Sequence, residues 1–345
     1  MYKRQFNASI VSAIAISQCS RCPKPAILYQ EYSGQHYCSS CLVRSVRKRI
    51  GKELRKQLIL PKGEKKDTTT IMVAVSGGKD SAVLLETLHH FLKNRKDVTL
   101  IAGCVNEGIQ GYRQPSMECA EELANNLGIE FKSLSYKSLG FDDMDNVVKL
   151  IPAISKKNEE VRGMSPCSFC GVFRRQGINK LASEINADYV AFGHNLDDMA
   201  QTVLMNLQKG DLERTIRLAP HTWAPIKGMA PRIVPIRWIP EQEVQAYAMT
   251  LDLPFHDDEC PHSHQALRIL HRDIVAKMED AVPGTRHGLV HSSDSIKEMF
   301  VSNNSNVEKS EFSNKSANKC ETCGEITSQK ICKACIMKKW IIEEL

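Results

Sequence analysis

Several features that define common protein classes are missing from this 345-residue chain. No run of about 18 apolar residues occurs, so the sequence predicts no membrane-spanning helix. The first 18 residues contain no acid but also lack a long apolar core, so we expect no targeting peptide. The Walker A spacing G-x-x-x-x-G-K-S/T is absent too. With 42% hydrophobic and 25% charged residues, the chain is expected to fold around one sizeable core with small satellite modules.

Positive charge is modest overall but concentrated near the N terminus. The net charge is +6, and residues 42–66 contain ten basic residues against two acids, Glu53 and Glu64. A basic run of this kind is usually a solvated helix face beside a linker. Because this run directly follows a cysteine cluster, contact with nucleic acid is an equally good interpretation. Both interpretations stay open at the level of sequence.

The chain divides into four regions by composition. Residues 1–66 hold a cysteine cluster and the basic helical stretch, with a polar linker predicted at 62–70. Residues 67–300 alternate between strand and helix patterns, which predicts an α/β domain with a parallel sheet and helices on both faces. Residues 301–318 are rich in Ser and Asn and are expected to form a flexible linker. Residues 319–345 hold a second cysteine cluster that ends in a short helix.

Hydrophobic periodicity places the elements of the α/β region. We predict strands at Ile71–Val75, Val98–Val105, Ile129–Tyr136, Asp188–Phe192 and Ile233–Ile236. We predict helices at Asp80–Leu92, Ser116–Leu127, Leu196–Leu207, Glu241–Thr250 and Gln265–Glu279. In such a sheet, the loops after the strands converge on one ligand crevice.

A glycine-rich loop follows the first predicted strand and directly precedes a helix. It reads Ser76-Gly77-Gly78-Lys79-Asp80-Ser81. Two glycines allow a tight bend close to an anion, and the amides of the helix N terminus point at that anion. A lysine adds positive charge, and the two serine hydroxyls can bind phosphate oxygens. We therefore assign a nucleotide site, rather than a ligand-free turn, to Ala74, the six loop residues and Gly193. The loop resembles the SGGxDS signature of PP-loop ATP pyrophosphatases, which cleave between the α- and β-phosphates and transfer AMP.

A second polar loop, Gly193-His194-Asn195-Leu196-Asp197-Asp198, follows the strand that ends at Phe192. We expect it to face the first loop across the crevice. Asp198 is then a candidate to hold Mg²⁺ on the phosphates. In the competing interpretation, Asp197 and Asp198 only begin a helix, where the helix dipole favours acids.

Eleven of the thirteen cysteines fall into three groups with the spacing of metal ligands. In a chain without a secretory signal, this pattern indicates metals or redox chemistry rather than disulfides. Two groups are complete sets of four: Cys19, Cys22, Cys38 and Cys41, and Cys320, Cys323, Cys332 and Cys335. Each set lies in a stretch too short to build its own core, so we predict two structural Zn²⁺ sites. Cys104 and Cys119 remain, and we expect both to be buried thiols.

The third group is incomplete. Cys167 and Cys170 form a single pair, and the nearest unassigned thiol is Cys260. Three thiolates on a 4Fe-4S cluster would leave one iron open to an exogenous ligand. Alternatively, Cys167 and Cys260 act directly as a persulfide carrier and a resolving thiol, or His262 or His264 completes a third zinc site. Phe173-Arg174-Arg175 is expected to open an amphipathic helix beside the pair, with an arginine on a phosphate or simply at the surface.

Taken together, SGGKDS, PCSFCG with FRR, GHNLDD, ECP and the flanking sets of four cysteines resemble the TtcA/TtuA family of tRNA thiolation enzymes. The likeness is to the branch of archaeal and eukaryotic cytosolic tRNA 2-thiouridine synthetases, and it extends from Cys19 to Cys335. It implies that Cys167, Cys170 and Cys260 hold the 4Fe-4S cluster and that Ser76–Ser81 bind ATP. It also implies that Asp198 is a catalytic acid and that Arg174 stands where some relatives carry a catalytic lysine.

The resemblance further implies a mechanism and partners. ATP would adenylate the uridine C2 carbonyl of tRNA, with the wobble uridine as the expected target, and sulfur would then replace AMP. Sulfur would come from a ubiquitin-like carrier protein, and the enzyme would be a homodimer or pair with a related subunit in the cytoplasm. The cysteine modules and the basic stretch would grip tRNA phosphates. Alternatives are thiolation of the T-loop uridine or of a cytidine, and a non-catalytic zinc protein that binds RNA.

Overall fold

The computed structural model describes residues 17–60, 68–221, 228–263, 267–303 and 318–344. The first 16 residues, His264 and most of the predicted linkers at 62–70 and 301–318 lie outside the described residues. Within the described part, no helix is both long and apolar enough to cross a bilayer. The N-terminal module consists of the hairpin β1 (Leu28–Gln30) and β2 (Gln35–Tyr37), followed by helix α1 (Ser39–Gln57).

A parallel five-stranded sheet forms the centre of the molecule, in the order β5-β4-β3-β6-β7. Its strands are β3 (Thr69–Ala74), β4 (Val98–Asn106), β5 (Glu130–Ser135), β6 (Tyr189–Ala191) and β7 (Arg232–Ile233). The main crossover helices are α2 (Lys79–Leu92), α3 (Arg113–Asn126), α4 (Met144–Lys157), α5 (Pro166–Glu184) and α6 (Leu196–Gln208). They are followed by α7 (Leu212–Ile216), α8 (Glu241–Thr250), α9 (Leu267–Ala281) and α10 (Thr285–Asn303).

Both faces of the sheet are covered, because alternate residues of each strand point to opposite sides. On β3, Ile71 and Val73 pack in a cluster with α1, α2 and α8. Met72, between them, packs on the other face with α4 and α5. The predicted α/β class with helices on both faces is thus confirmed.

Chain topology creates a crevice between β3 and β6. The chain runs outward from β3 to β4 and β5, and then returns to place β6 against the other side of β3. The carboxyl ends of these two neighbouring strands therefore open toward helices that leave in different directions. Such a switch point is where open parallel sheets bind ligands.

The two cysteine modules dock on opposite faces of the sheet. Residues of the N-terminal module share a buried cluster with α2 and α8. The C-terminal module contains the hairpin β8 (Asn318–Lys319) and β9 (Ile326–Thr327) and helix α11 (Lys333–Ile342). It packs on α4 and α5, where Lys333 pairs with Glu160 at 2.9 Å.

Most predicted elements of the α/β region are confirmed to within a few residues, but several predictions need correction. The predicted linkers at 62–70 and 301–318 are shorter, because β3 begins at Thr69 and α10 extends to Asn303, and the short helix α7 was not predicted. The helix around Arg174 does not open at Phe173; it begins at Pro166, because proline at the first helical position has the required φ and needs no amide partner. The last strand of the sheet spans only Arg232–Ile233 instead of reaching Ile236. Helices α4 and α10 were not predicted at all.

Candidate functional site

The nucleotide loop depends on a glycine that no other residue can replace. Gly77 has φ +89°, and a Cβ placed on it would lie 1.7 Å from the backbone oxygen of Ser116. Gly78 has an ordinary φ of −83°, and a Cβ placed on it would lie 3.6 Å from its nearest neighbour, Ser76 Oγ, which is an ordinary contact distance. Close packing against α3 therefore requires Gly77, whereas Gly78 leaves open space in front of the helix.

Hydroxyl groups hold the loop in shape. Ser81 Oγ accepts from the Ser76 amide at 3.1 Å and donates to the Gly78 carbonyl at 2.9 Å. The α2 N-cap, Gly78, has no side-chain cap, so the first amides of this helix have no side-chain acceptor. These amides and Lys79 form a positive end that can receive a phosphate.

The second loop faces the first, as predicted. Asn195 Nδ2 donates to Asp80 Oδ1 at 2.8 Å, which joins the N termini of α6 and α2. A Cβ on Gly193 would lie 3.2 Å from the Asp80 carbonyl, so the two backbones approach closely there. The residues predicted for the nucleotide site are thus brought to one edge of β3 and β6.

Several carboxylates lie close together at this edge of the sheet. Burial, together with the negative charges of Asp198 and Glu241, raises the pKa of Asp80 to about 6, against the opposing effect of Lys79 and Asn195. Lys79 Nζ lies 2.8 Å from Glu241 and 3.6 Å from Asp80. This local excess of carboxylates can accept a divalent cation together with phosphates.

Both aspartates of the second loop form ion pairs with arginines. Asp198 forms a capping box with Asn195 and pairs with Arg268 at 2.5 Å. Asp197 pairs with Arg286 at 2.7 Å and accepts the Glu241 amide at 2.8 Å. Helix capping and cation pairing therefore both describe this loop, and a cation on Asp198 would have to displace Arg268.

The three cysteines of the incomplete group lie on two segments beside the nucleotide loop. Cys167 and Cys170 occupy the first turns of α5, and Cys260 lies on the segment after α8. Burial, followed by the nearby thiols of Cys170 and Cys260, raises the pKa of Cys167. The His256 amide donates to the Gly77 carbonyl at 2.8 Å, so the segment that carries Cys260 is tied to the nucleotide loop.

The spacing of these sulfur atoms differs from that of the complete sets. In the described part of the chain, only the two sets of four cysteines bring at least three ligand atoms within 4.8 Å of one another. A 4Fe-4S cluster separates its thiolates more widely than a single ion does, because each sulfur binds a different iron. The looser triad, with no fourth cysteine in it, fits such a cluster. His262, which was a candidate to complete a third zinc site with these cysteines, pairs with Asp145 at 2.6 Å.

The complete sets have the dimensions of four-thiolate metal sites. Sulfur atoms of Cys22 and Cys38 lie 3.5 Å apart, and those of Cys22 and Cys41 lie 3.7 Å apart. In the C-terminal set, Cys323 and Cys332 are separated by 3.7 Å. A tetrahedron with metal–sulfur bonds of about 2.3 Å has edges of about 3.8 Å. Both sets are therefore arranged to hold one tetrahedral ion each.

Arg174 lies at the solvent-exposed surface of α5, where its guanidinium contacts both a carboxylate and a cysteine. Its Nε lies 2.7 Å from Glu107 Oε1, and its Nη2 lies 3.4 Å from Cys170 Sγ. Glu107 is buried and also contacts Arg113. Neither Glu107 nor Arg113 was predicted, although Glu107 follows a predicted strand, which was a usable signal.

A second cationic feature lines the crevice next to α5. Arg175 is exposed to solvent, and partial burial, followed by the positive charges of Arg214 and Arg174, lowers its pKa. Arg232 has its pKa lowered to about 10 by burial and by Arg175, and its guanidinium lies 5.4 Å from the Phe192 ring. In the described part of the chain, neither arginine forms an ion pair with a carboxylate, and Arg232 donates to Asn179 Oδ1 at 3.1 Å.

Of the two cysteines outside these groups, Cys104 is fully buried, as expected. Cys119 is only partly buried, because it lies on the outer side of α3. The expectation of a buried thiol is therefore wrong for Cys119.

The switch-point crevice, the glycine loop at β3 and the facing loop at β6 define a PP-loop ATP-binding protein. A family model for the PP-loop domain matches residues 46–278. A model for the N-terminal LIM domain of the 2-thiouridine synthetase TtuA matches residues 18–43.

Similar proteins carry more specific names. The tRNA 2-thiolation protein NcsA of Haloferax volcanii is 34% identical over 328 residues, which cover 92% of this chain and 97% of that protein. The cytoplasmic tRNA 2-thiolation protein 1 of Danio rerio is 32% identical, with coverage of 93% and 87%. The solved structure of the U34-tRNA thiolase NcsA from Methanococcus maripaludis with its 4Fe-4S cluster is 32% identical, with a TM-score of 0.72 and coverage of 92% and 95%. The chain belongs to the PP-loop family of tRNA 2-thiolation proteins.

Proposed function

We propose that this protein uses ATP to replace the C2 oxygen of a tRNA uridine with sulfur. The observation that supports this most directly is the convergence of two sites on one crevice. A nucleotide loop at β3 lies beside a set of three cysteines, and the segment that carries Cys260 is tied to that loop through Gly77. Other PP-loop reactions, such as amidation, would have no use for the three thiols.

The chemistry requires ATP because the oxygen of a uridine carbonyl is a poor leaving group. The C2 oxygen attacks the α-phosphorus of ATP, and pyrophosphate leaves. A sulfur nucleophile then adds at C2, and the oxygen departs with AMP. Ser76–Ser81, Ala74 and Gly193 would bind the nucleotide, and Asp198, once displaced from Arg268, would hold Mg²⁺ on the phosphates with Asp80 nearby.

Cys167, Cys170 and Cys260 would hold a 4Fe-4S cluster in this proposal. When bound, the cluster supplies an iron that is free to carry the sulfur. The residues of the chain contribute position: α5 fixes the first two thiols, and the segment after α8 brings the third to the nucleotide loop. Arg174 adds positive charge between the thiols and the crevice, where the adenylated oxygen develops negative charge.

The two complete cysteine sets would each hold one Zn²⁺. Support comes from their sulfur–sulfur distances of 3.5 to 3.7 Å and from the burial of three of the four thiols in each set. Closed tetrahedral thiolate sites are structural, so both ions would stabilise their modules rather than react. The division proposed from the sequence, with modules at 1–66 and 319–345 around a catalytic domain at 67–300, fits this role.

The substrate strand would enter along positive side chains. Arg175 and Arg232, which form no ion pair with any carboxylate among the described residues, are suited to phosphates on either side of the target base. The Phe192 ring lies beside Arg232 and stacks with His194, so an extruded base would have to replace one of these two contacts to stack on it. The wobble uridine is the proposed target, since the similar Methanococcus protein is named for U34.

Partners and location follow the same family pattern. We expect a ubiquitin-like carrier protein to deliver sulfur as a C-terminal thiocarboxylate, and we expect a homodimer or a pairing with a related subunit. The name of the Danio rerio relative places that protein in the cytoplasm, and we propose the same location here.

Anaerobic reconstitution tests the proposed function. Wild type and Cys260→Ala would be purified without oxygen, analysed for metals, and supplied with ATP, Mg²⁺, sulfide and unmodified tRNA. We expect about two zinc and up to four iron per wild-type chain, with 2-thiouridine formed at the wobble position by nucleoside mass spectrometry. Cys260→Ala should lose the iron and the product but keep the zinc. Cys119→Ala, which changes an unassigned thiol, is the matched control.

Three other results would redirect the proposal. Thiolation from sulfide without any iron would refute the cluster part of the proposal, and a persulfide route through Cys167 and Cys260 would then need a donor that already carries sulfur at the persulfide level. A product at the T-loop uridine or at a cytidine would change the substrate but keep the enzyme class. Tight tRNA binding with no release of AMP would indicate a non-catalytic RNA-binding protein and would refute the proposal.

A further inference from the structure

A continuous path of charged and polar contacts joins the nucleotide loop to Cys170. At one end, Arg113 Nη1 donates to the Ser76 carbonyl at 2.7 Å. In the middle, Glu107 lies between two guanidiniums, 2.6 Å from Arg113 Nε and 2.7 Å from Arg174 Nε. At the other end, Arg174 Nη2 lies 3.4 Å from Cys170 Sγ. The path therefore spans the two halves of the candidate site through side chains alone.

Arg113 is a fixed part of this path. It is 4% exposed, and its Nη2 donates to the Val105 carbonyl and to Cys104 Sγ, both at 2.7 Å. The Arg113 Nε–Glu107 Oε2 contact is close but not aligned as a hydrogen bond, so it acts mainly through charge. A buried carboxylate in this position is tolerated because two cations neutralise it.

Arg174, unlike Arg113, can move away from its observed position into solvent. Its side chain is 51% exposed, on a helix surface beside the crevice. A long side chain with access to solvent gains conformational freedom and hydration when it is released. The buried Glu107, only 3% exposed, offers the charge that keeps this guanidinium over the cysteine. Removal of that charge alone should let Arg174 leave Cys170.

We propose that Glu107 is a positioning residue for the cysteine site, which holds Arg174 against Cys170 Sγ and, through Arg113, links that contact to the nucleotide loop. This rests on the proposed function, because it takes Cys170 as a ligand of the cluster. A hydrogen-bond donor to a ligand thiolate withdraws electron density from the metal and raises its reduction potential. Binding of nucleotide at Ser76 would then change the reduction potential at the cysteine site. By the same linkage, a change in oxidation state at that site would change the affinity for nucleotide.

Redox titration of the reconstituted protein tests the contact at Cys170. The midpoint potential would be measured with and without a non-hydrolysable ATP analogue for wild type, Glu107→Gln and Glu118→Gln. We expect the analogue to shift the wild-type potential. Glu107→Gln should have a more negative potential that no longer responds to the analogue. Glu118→Gln, on the exposed side of α3, should behave like wild type.

Affinity for nucleotide tests the other end of the path without any cluster. In cluster-free protein, Glu107→Gln should bind the ATP analogue about fivefold more weakly, the lower end of a typical coupling between sites. Should Glu107→Gln fail to fold, Arg174→Gln at the exposed helix surface carries the test, since it should show the same shift in potential. In the double variant, no further shift is expected, because both changes remove one contact.

The outcomes separate this inference from the proposed function. A wild-type potential and wild-type affinity in Glu107→Gln would overturn the inference while leaving thiolation intact. An equal effect of Glu118→Gln would overturn it as well, because the effect would then be one of net charge. If wild type never binds iron, the cluster proposal fails, and the affinity in cluster-free protein still decides the role of Glu107.

Discussion

Asp80, a residue of the nucleotide site, lies in an environment that disfavours its charged form. Its carboxylate is buried beside Asp198 and Glu241, and its pKa is raised to about 6 despite contacts with Lys79 and Asn195. A group whose pKa is raised binds protons more tightly in the folded state than in the unfolded chain. Its contribution to stability therefore falls as pH rises from about 4 to 6 and stays low above that range.

Neutralisation of Asp80 should stabilise the ligand-free protein at neutral pH. We expect Asp80→Asn to raise the free energy of unfolding by about 1 to 2 kcal/mol at pH 7.5, with little gain at pH 4, where the wild-type group is protonated. Asn keeps an oxygen for the Asn195 amide, so the contact between the loops survives. Urea unfolding at both pH values measures the difference. Asp273→Asn, an exposed change on α9, is the control, and a less stable Asp80→Asn at pH 7.5 would refute the assignment.

At the scale of elements, helix α1 has two opposite faces with different tasks. Its inner face buries Leu42, Val46, Ile50 and Leu54 at intervals of four residues. On its flanks, Arg47 pairs with Glu86 at 2.5 Å, and Arg49 pairs with Glu243. Its outer face exposes Arg44, Lys48, Lys52 and Arg55 in one row. The basic stretch is thus divided between anchoring cations and a free row suited to a phosphate backbone.

The free row on α1 should contribute to tRNA affinity. We expect Lys48→Glu combined with Lys52→Glu to weaken tRNA binding about tenfold or more, and to lower the salt dependence by about one unit per lost phosphate contact. Filter binding over a series of salt concentrations measures both. The matched control is Lys149→Glu with Lys156→Glu on α4, which covers the other face of the sheet and reverses the same number of charges. An equal loss in the control would show that only net charge matters.

At the scale of the whole molecule, the N-terminal module is built into the main core rather than attached beside it. Cys19, Cys38 and Cys41 belong to the same buried cluster as the central strand β3. Tyr32 donates to Glu243 on α8 at 2.7 Å, and its ring lies 4.5 Å from that of His287. A metal ion bound by these cysteines should therefore stabilise the sheet as well as the module itself.

Loss of that metal should lower the stability of the entire chain. We expect Cys38→Ser to release one equivalent of zinc, to destabilise the protein by more than about 2 kcal/mol, and to preserve a single unfolding transition. Calorimetry combined with zinc analysis measures all three. Cys119→Ser, a thiol outside every group, should change neither property. A separate early transition with an unchanged main one would show instead that the module folds independently.

The class of fold and the location of the nucleotide loop were determined by the sequence itself, because both depend on local patterns. A buried strand, two glycines and a helix are adjacent in the chain, and φ +89° at Gly77 shows why glycine is needed there. The sets of four cysteines were equally evident, since their ligands are close in sequence and a metal fixes their geometry. The start of α5 was placed too late, at Phe173 instead of Pro166, because the periodic apolar pattern of this helix is weak.

Contacts between distant residues were decided only by the tertiary structure. Glu107, Arg113 and Arg174 come from three different elements, and no local pattern indicates that they form one path. Arg268 reaches Asp198 across 70 residues, which turned a predicted cation ligand into a member of an ion pair. Local motifs are set by backbone geometry over a few residues, whereas the pairing of buried charges depends on which elements the sheet brings together. The sequence by itself therefore determined which chemistry this protein carries, and the tertiary structure decided which side chains hold that chemistry in position.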